Sequence, residues 1–211
     1  MISFLQHGTE KRPRLAELWG GIRAELPIAV GVIPFGMIYG VLALAAGLNV
    51  WQAQAVSSGG FAGSALVIGA QVMGPGTPLS VLWLTTLIVN LRHVLYSTAL
   101  GPDLGHLSRR WRWLLAYLLT DEAYAVTAVH YANRQTPLTY KHWYFLGTGF
   151  TLWLTWQVST AVGIFLGAEV PASWSLDFTL ALTFIGIVIP ALKGRPSLAA
   201  ALSAGVTAVF A

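Results

Sequence analysis

Residues 79–100 read LSVLWLTTLIVNLRHVLYSTAL, a continuous apolar run bounded by Pro78 and Pro102. At about 1.5 Å per residue, a helix of this length crosses the hydrocarbon core of a bilayer. Inside the run stand Asn90-Leu91-Arg92-His93 and, one turn on, Tyr96, far from either polar flank. An arginine at such depth costs roughly 2.5–3.5 kcal/mol on insertion scales. That cost is ordinarily met by a partner or a wet cavity, and such residues mark a pathway. Asn90 and His93 are three apart and Arg92 and Tyr96 four apart, so each pair shares a helix face. The competing reading is structural: Arg92 sits at a kink and pairs with a neighbouring helix.

The rest of the chain agrees with a membrane setting. Its 211 residues are 55% hydrophobic and 9% charged, with a mean hydropathy of +0.65. A soluble domain carries roughly 25% charged residues, so this chain has too little charge to cover a water-facing surface. The apolar residues run continuously instead of alternating, which argues against a β-barrel. The expected fold is all-α, a polytopic membrane helix bundle of about six to seven segments, some of them discontinuous or re-entrant. The net charge of +4 comes from Lys and Arg between apolar runs, so headgroup contact explains it and nucleic-acid binding does not. Cysteine is absent, which excludes disulfides and thiol chemistry.

Residues 1–26 lack a continuous apolar core, so they are not a cleavable signal. Leu15, Leu18, Trp19, Ile22 and Leu26 recur at helical spacing among Arg14, Glu17, Arg23 and Glu25, which suits a helix in the interface or a solvated lead-in. The transmembrane domain is then 27–211. Its first span, about 27–47, is interrupted by Pro34-Phe35-Gly36, where a kink or unwound turn is expected. Gly36 and Gly40 form a small face for close packing.

The second stretch, about 51–73, centres on Ser57-Ser58-Gly59-Gly60-Phe61-Ala62-Gly63-Ser64. So many glycines make a poor continuous helix, and a discontinuous or re-entrant element is expected, with a glycine-faced full helix as the alternative. Gly101-Pro102-Asp103 closes the third span, and Arg109, Arg110 and Arg112 follow with Trp111 and Trp113 as anchors. The fourth run, about 113–131, holds Asp121-Glu122 near its middle, with Tyr117, Asp121 and Tyr124 on one helical face. The fifth, about 143–167, carries Thr148, Thr151, Thr155 and Ser159 as a stripe read as packing. A sixth span, about 176–192, contains Pro190, and the run 197–211 is short for a crossing, as if the chain stopped before its natural end.

Strict alternation of these spans puts Arg109, Arg110 and Arg112 on the opposite side from the other basic clusters, against the positive-inside rule. If the second and fourth runs both turned back without crossing, all the clusters would share the inside, as with the paired broken elements of inverted-repeat transporters. The N-terminus is expected inside.

The deep polar residues therefore divide between neighbouring spans: Asn90, Arg92, His93 and Tyr96 in one, Asp121 and Glu122 in the next. Arg92 and one of the acids are expected to pair. Such a set suits a zwitterionic solute, its carboxylate on Arg92 and broken-helix N–H groups, its ammonium on Asp121 or Glu122. His93 and the acids are also the groups able to carry a coupled proton. His7, His106, His130 and His142 lie near the flanks and read as ordinary packing or surface residues. An intramembrane serine hydrolase would need Ser57, Ser58 or Ser64 beside His93. No local motif supports it, and the chain is expected not to be an enzyme. No His/Asp/Glu spacing matches a metal site, and there is no phosphate-binding loop or cofactor motif.

Pro34-Phe35-Gly36, Phe61-Ala62-Gly63-Ser64, Asn90-Leu91-Arg92-His93 with Tyr96, and Thr120-Asp121-Glu122 occur in this order. The ordered set resembles the AzlC-type large subunit of two-component branched-chain amino acid exporters, over roughly residues 26–195. The resemblance implies a multi-pass permease of the bacterial inner membrane that exports leucine, isoleucine, valine and methionine, and His93 and the acids make ion or proton coupling the expectation. It also implies a small hydrophobic AzlD-type partner subunit. Pro34, Phe61, Gly63 and Ser64 join Asn90, Arg92, His93, Tyr96, Asp121 and Glu122 as site residues. The family often has a glutamine just after the Phe-Ala-Gly-Ser stretch, where this chain has Leu66.

Overall fold

The computed structural model describes residues 3–73, 76–132, 137–169 and 203. The expected sixth span and, apart from Ser203, the last apolar run lie outside the described residues. Those described form eight helices: α1 (Ser3–Ala45), α2 (Val50–Gly60), α3 (Gly63–Val72), α4 (Leu79–Asn90), α5 (Arg92–Leu104), α6 (Arg109–Tyr117), α7 (Asp121–Ala132) and α8 (Leu138–Glu169). Three stretches are long and apolar enough to cross a membrane: Pro13–Ala45, Leu79–Leu104 and Thr139–Gly167. The five apolar runs up to residue 169 thus appear in the expected order, the second and fourth as pairs of short helices. The chain is an all-α membrane helix bundle.

The spine is α1 against α8, the most extensive helix pair. Small residues permit it. A Cβ on Gly163 would lie 2.1 Å from the Met37 carbonyl, one on Gly40 2.6 Å from the Thr160 carbonyl, and one on Gly36 2.0 Å from Ser159 Oγ. Without a hydrophobic drive between helices in lipid, such close approach is what holds them together. The expected glycine face at Gly36 and Gly40 is therefore present, and it meets α8. The hydroxyl stripe of α8 is packing, as expected: Thr148, Thr151, Thr155 and Ser159 each donate to a carbonyl one turn back, at 2.8–3.0 Å.

The prolines do not mark helix ends. α1 runs unbroken through Pro27 and Pro34, so the helix is not unwound at Pro34-Phe35-Gly36. Pro34 is exposed while its neighbour Gly36 is locked onto α8. One missing N–H on the outer side does not outweigh packing along the inner side. Likewise α5 continues through Pro102 to Leu104. The third span is not one uninterrupted helix either, since a single turn at Leu91 separates α4 from α5. There Leu91 N–H donates to Ile88 O at 3.2 Å and Val94 N–H to Leu91 O at 3.1 Å, a local tightening of the helix.

The glycine-rich second stretch is discontinuous, as its composition predicts. α2 opens with a capping box between Asn49 and Gln52 and ends at Gly60. Phe61 and Ala62 are non-helical, and α3 starts at Gly63. The fourth run is also broken: α6 stops at Tyr117 and α7 starts at Asp121. The acid pair is therefore not mid-helix but at a helix beginning, and Tyr117 does not share a helical face with Asp121 and Tyr124. Leu118, Leu119 and Thr120, which make the break, are all buried.

Candidate solute site

Three helices begin at one place. The first residues of α3 (Gly63, Ser64), of α5 (Arg92, His93) and of α7 (Asp121, Glu122), with Phe61 and Ala62 of the first break and Thr120 of the second, line a cavity of about 460 Å³. Val32 and Phe35 of α1 and Leu152 and Trp156 of α8 supply an apolar wall, and Val67 and Ile68 of α3 extend it. The volume lies within the roughly 300–1,000 Å³ of small-molecule sites.

Each break has a local cause. At the first, Gly63 lets α3 approach α8, since a Cβ there would be 3.1 Å from the Trp156 ring. Trp156 is itself fixed, its Nε1 donating to Ser57 Oγ at 2.9 Å. Phe61 is buried and its ring lies 6.0 Å from that of Tyr117. Tyr117 in turn donates to the Ser58 carbonyl and accepts from Trp153 Nε1 at 2.7 Å. The two breaks thus brace each other. At the second, Thr120 Oγ1 accepts from Ala123 N–H at 3.3 Å as an N-cap. Asp121 and Glu122 then fall in the first turn of α7, where the helix dipole favours negative charge.

The expected ion pair is present. Arg92 Nη1 pairs with Asp121 Oδ2, and Arg92 Nη2 donates to Ser64 Oγ at 2.7 Å. One guanidinium therefore joins the starts of all three helices. Among the described residues, Arg92 Nε and Asp121 Oδ1 remain buried without a hydrogen-bond partner. The site thus combines a cation, two acids and unspent donor and acceptor capacity beside an apolar wall.

The other sequence-derived residues divide. His93, Phe61, Gly63, Ser64 and Glu122 line the cavity, whereas Pro34, Asn90 and Tyr96 are not among its lining residues. Pro34 is replaced there by its neighbour Phe35. The Asn90 carbonyl bonds His93 Nδ1 at 3.2 Å, which fixes the imidazole. Tyr96 stacks on Tyr124 with ring centroids 4.3 Å apart, so it docks α5 on α7. Reading by residue type passed over Trp156 and quoted Thr120 only within the Thr120-Asp121-Glu122 motif, without a role, since both carry little signal except beside a break. The serines do not pair with His93. Ser57 bonds Thr160 and Trp156, Ser58 bonds Gln54 O and Gln157, and Ser64 accepts from Arg92.

The sequence profile described as AzlC protein matches residues 27–170, which include all of these positions. The chain belongs to the AzlC family. Among AzlC relatives, the inner membrane protein YgaZ of Escherichia coli K12 is 25% identical over 192 residues, covering 88% of this chain and 78% of YgaZ. An uncharacterized membrane protein of Archaeoglobus fulgidus is 28% identical over 193 residues, covering 90% of this chain and 82% of its own length. The branched-chain amino acid transport protein AzlC of Bacillus subtilis is 25% identical over 180 residues, covering 82% of this chain and 69% of that protein. No solved structure is significantly similar.

Proposed function

We propose that this AzlC-family chain is a secondary transporter that exports leucine, isoleucine, valine and methionine across the bacterial inner membrane, with its N-terminus in the cytoplasm. The observation that carries this reading is the meeting of both charge signs and an apolar wall in one cavity. The carboxylate of the solute binds at the uncapped start of α3 and at Arg92, where N–H groups and a guanidinium converge. Its ammonium binds Glu122 and the unpartnered oxygen of Asp121. The branched side chain lies against Phe35, Ile68, Leu152 and Trp156. Asn90, through its carbonyl, and Tyr96, through its stack on Tyr124, orient His93 and α5. The name of the Bacillus subtilis relative supports the substrate class.

The partner is a small hydrophobic AzlD-type membrane subunit, an assignment that rests on the family resemblance. Transport is coupled to an ion or proton gradient. The test is counterflow of labelled leucine in proteoliposomes, with and without that subunit. Saturable flux, competed by isoleucine and valine, is expected. Flux that never saturates would make the chain a channel, and none at all, with intact partner assembly, would make it a scaffold.

A further inference from the structure

Glu25 is fully buried, at 0% exposure, and both its carboxyl oxygens lack a hydrogen-bond partner among the described residues. It is not a lining residue of the solute cavity. An isolated carboxylate charge is far costlier to bury than the neutral acid, and an aliphatic residue would cost neither. Among the described residues, the titratable groups within electrostatic reach of it are Glu122 from α7 and Tyr144 from α8, neither of them a cation. A dry site of that kind admits the acid most cheaply with its proton on.

The surroundings give that proton a direction. On α1 and α7 titratable groups approach one another at two levels, acid near acid at one and acid against imidazole at the other. Glu25 is within electrostatic reach of Glu122 at the cavity end, and Glu17 Oε2 lies 3.0 Å from His130 Nε2 at the other. The two helices are thus antiparallel here, and each spends about two turns, roughly 12 Å, between the two pairs. Between them an open indentation of about 450 Å³ is lined by Ala24, Ala125, Val126, His130 and Tyr144, among others. The His130 ring stacks on Tyr144 with centroids 3.7 Å apart.

We propose that Glu25 is a proton-binding site that links the solute cavity to the His130–Glu17 side of the bundle. In the inward step Glu25 comes within hydrogen-bond reach of Glu122, directly or through one water; the O–H bond of the Glu25 acid breaks, a Glu122 carboxylate oxygen gains the proton, and Glu25 is left as a carboxylate. A proton arriving from the His130–Glu17 side restores the acid, and no electron moves. Because Glu122 lines the cavity, its neutralisation removes one of the two charges offered to an ammonium and releases the solute. This use of the site rests on the transport reading, whereas the proton itself does not.

Infrared difference spectra of the purified full-length protein test the site directly. The wild type is expected to show the carbonyl stretch of a buried carboxylic acid that Glu25→Gln removes and Glu25→Asp shifts. Glu25→Asp keeps the acid, so its shift decides the assignment even where Glu25→Gln does not fold. A spectrum unaltered in both variants overturns the proposal. In proteoliposomes an imposed pH gradient should accelerate leucine flux in the wild type and lose that effect in Glu25→Gln, with partial return in Glu25→Asp. Persistence of the acceleration in Glu25→Gln overturns the coupling. Absence of leucine flux in the wild type contradicts the transport reading instead, and the infrared result then stands alone in deciding the proton site.

Discussion

At the scale of single residues, Arg92 does two things that only a guanidinium can do from one position. It pairs with Asp121 through one terminal nitrogen and holds Ser64 through the other, a fork that a lysine point charge does not reproduce. Arg92→Lys is therefore expected to fail alongside Arg92→Gln. Charge-assisted bonds are worth about 1.5–3 kcal/mol, so each variant should weaken leucine binding by roughly 10- to 150-fold. Equilibrium binding of labelled leucine to purified protein measures this. Full affinity in Arg92→Lys would reduce Arg92 to a generic positive charge. Arg92 and its acid were legible in the sequence because charge inside an apolar run needs a reason. Glu25 was not. It stands two residues before Pro27 among Arg23 and other flanking polar groups, and from there it reads as a headgroup-level residue. Only the packing of α1 on α7 and α8 makes it dry.

At the scale of elements, the broken second stretch was legible and the prolines misled. Glycine lowers helix stability wherever it stands, and Gly59, Gly60 and Gly63 cluster where α2 gives way to α3. Proline acts through one missing N–H and one local clash, and whether that breaks a helix depends on what the other face holds. At Pro34 the other face is clamped to α8 through Gly36 and Gly40. The break before Asp121 had no composition signal, since Leu118 and Leu119 are good helix formers. It follows from the Thr120 cap and from the burial of the connecting residues. The close α1–α8 approach makes a prediction of its own. Gly163→Leu drives a side chain into the Met37 carbonyl. Overpacking costs about 1–3 kcal/mol and occasionally more, or roughly 2–4 °C in Tm per kcal/mol for a chain of this size. Gly31→Ala, whose added Cβ meets nothing within 4 Å, should leave Tm within a degree or two or raise it slightly. Thermal denaturation in detergent compares the two, and equal Tm values would mean that the α1–α8 seam is not the stabilising contact.

At the scale of the whole molecule, the two runs whose crossing set the positive-inside rule against strict alternation are both broken, like the third between them. Both open into one cavity, and that convergence was beyond the sequence. The order of the runs gave neighbours, but three helix beginnings meeting at Arg92 is a product of tertiary packing. Because the chain has no cysteine, single cysteines can map the cavity against a silent background. Ile68→Cys, on the cavity wall, should react with a membrane-impermeant thiol reagent and be protected by leucine. Leu87→Cys, exposed on α4 within the Leu79–Leu104 span, should not react, because lipid covers it. Equal labelling of both, unaffected by leucine, would place the water elsewhere.

The most direct measurement uses ligands that carry only one end of the zwitterion. Leucinol lacks the carboxylate and 4-methylpentanoate lacks the ammonium, while both keep the branched chain. In competition with labelled leucine on the wild-type protein, neither should displace it at concentrations where isoleucine and valine do, because each leaves one set of charged groups unmatched. Displacement by 4-methylpentanoate or leucinol as effective as by valine would contradict a site that grips both ends of an amino acid.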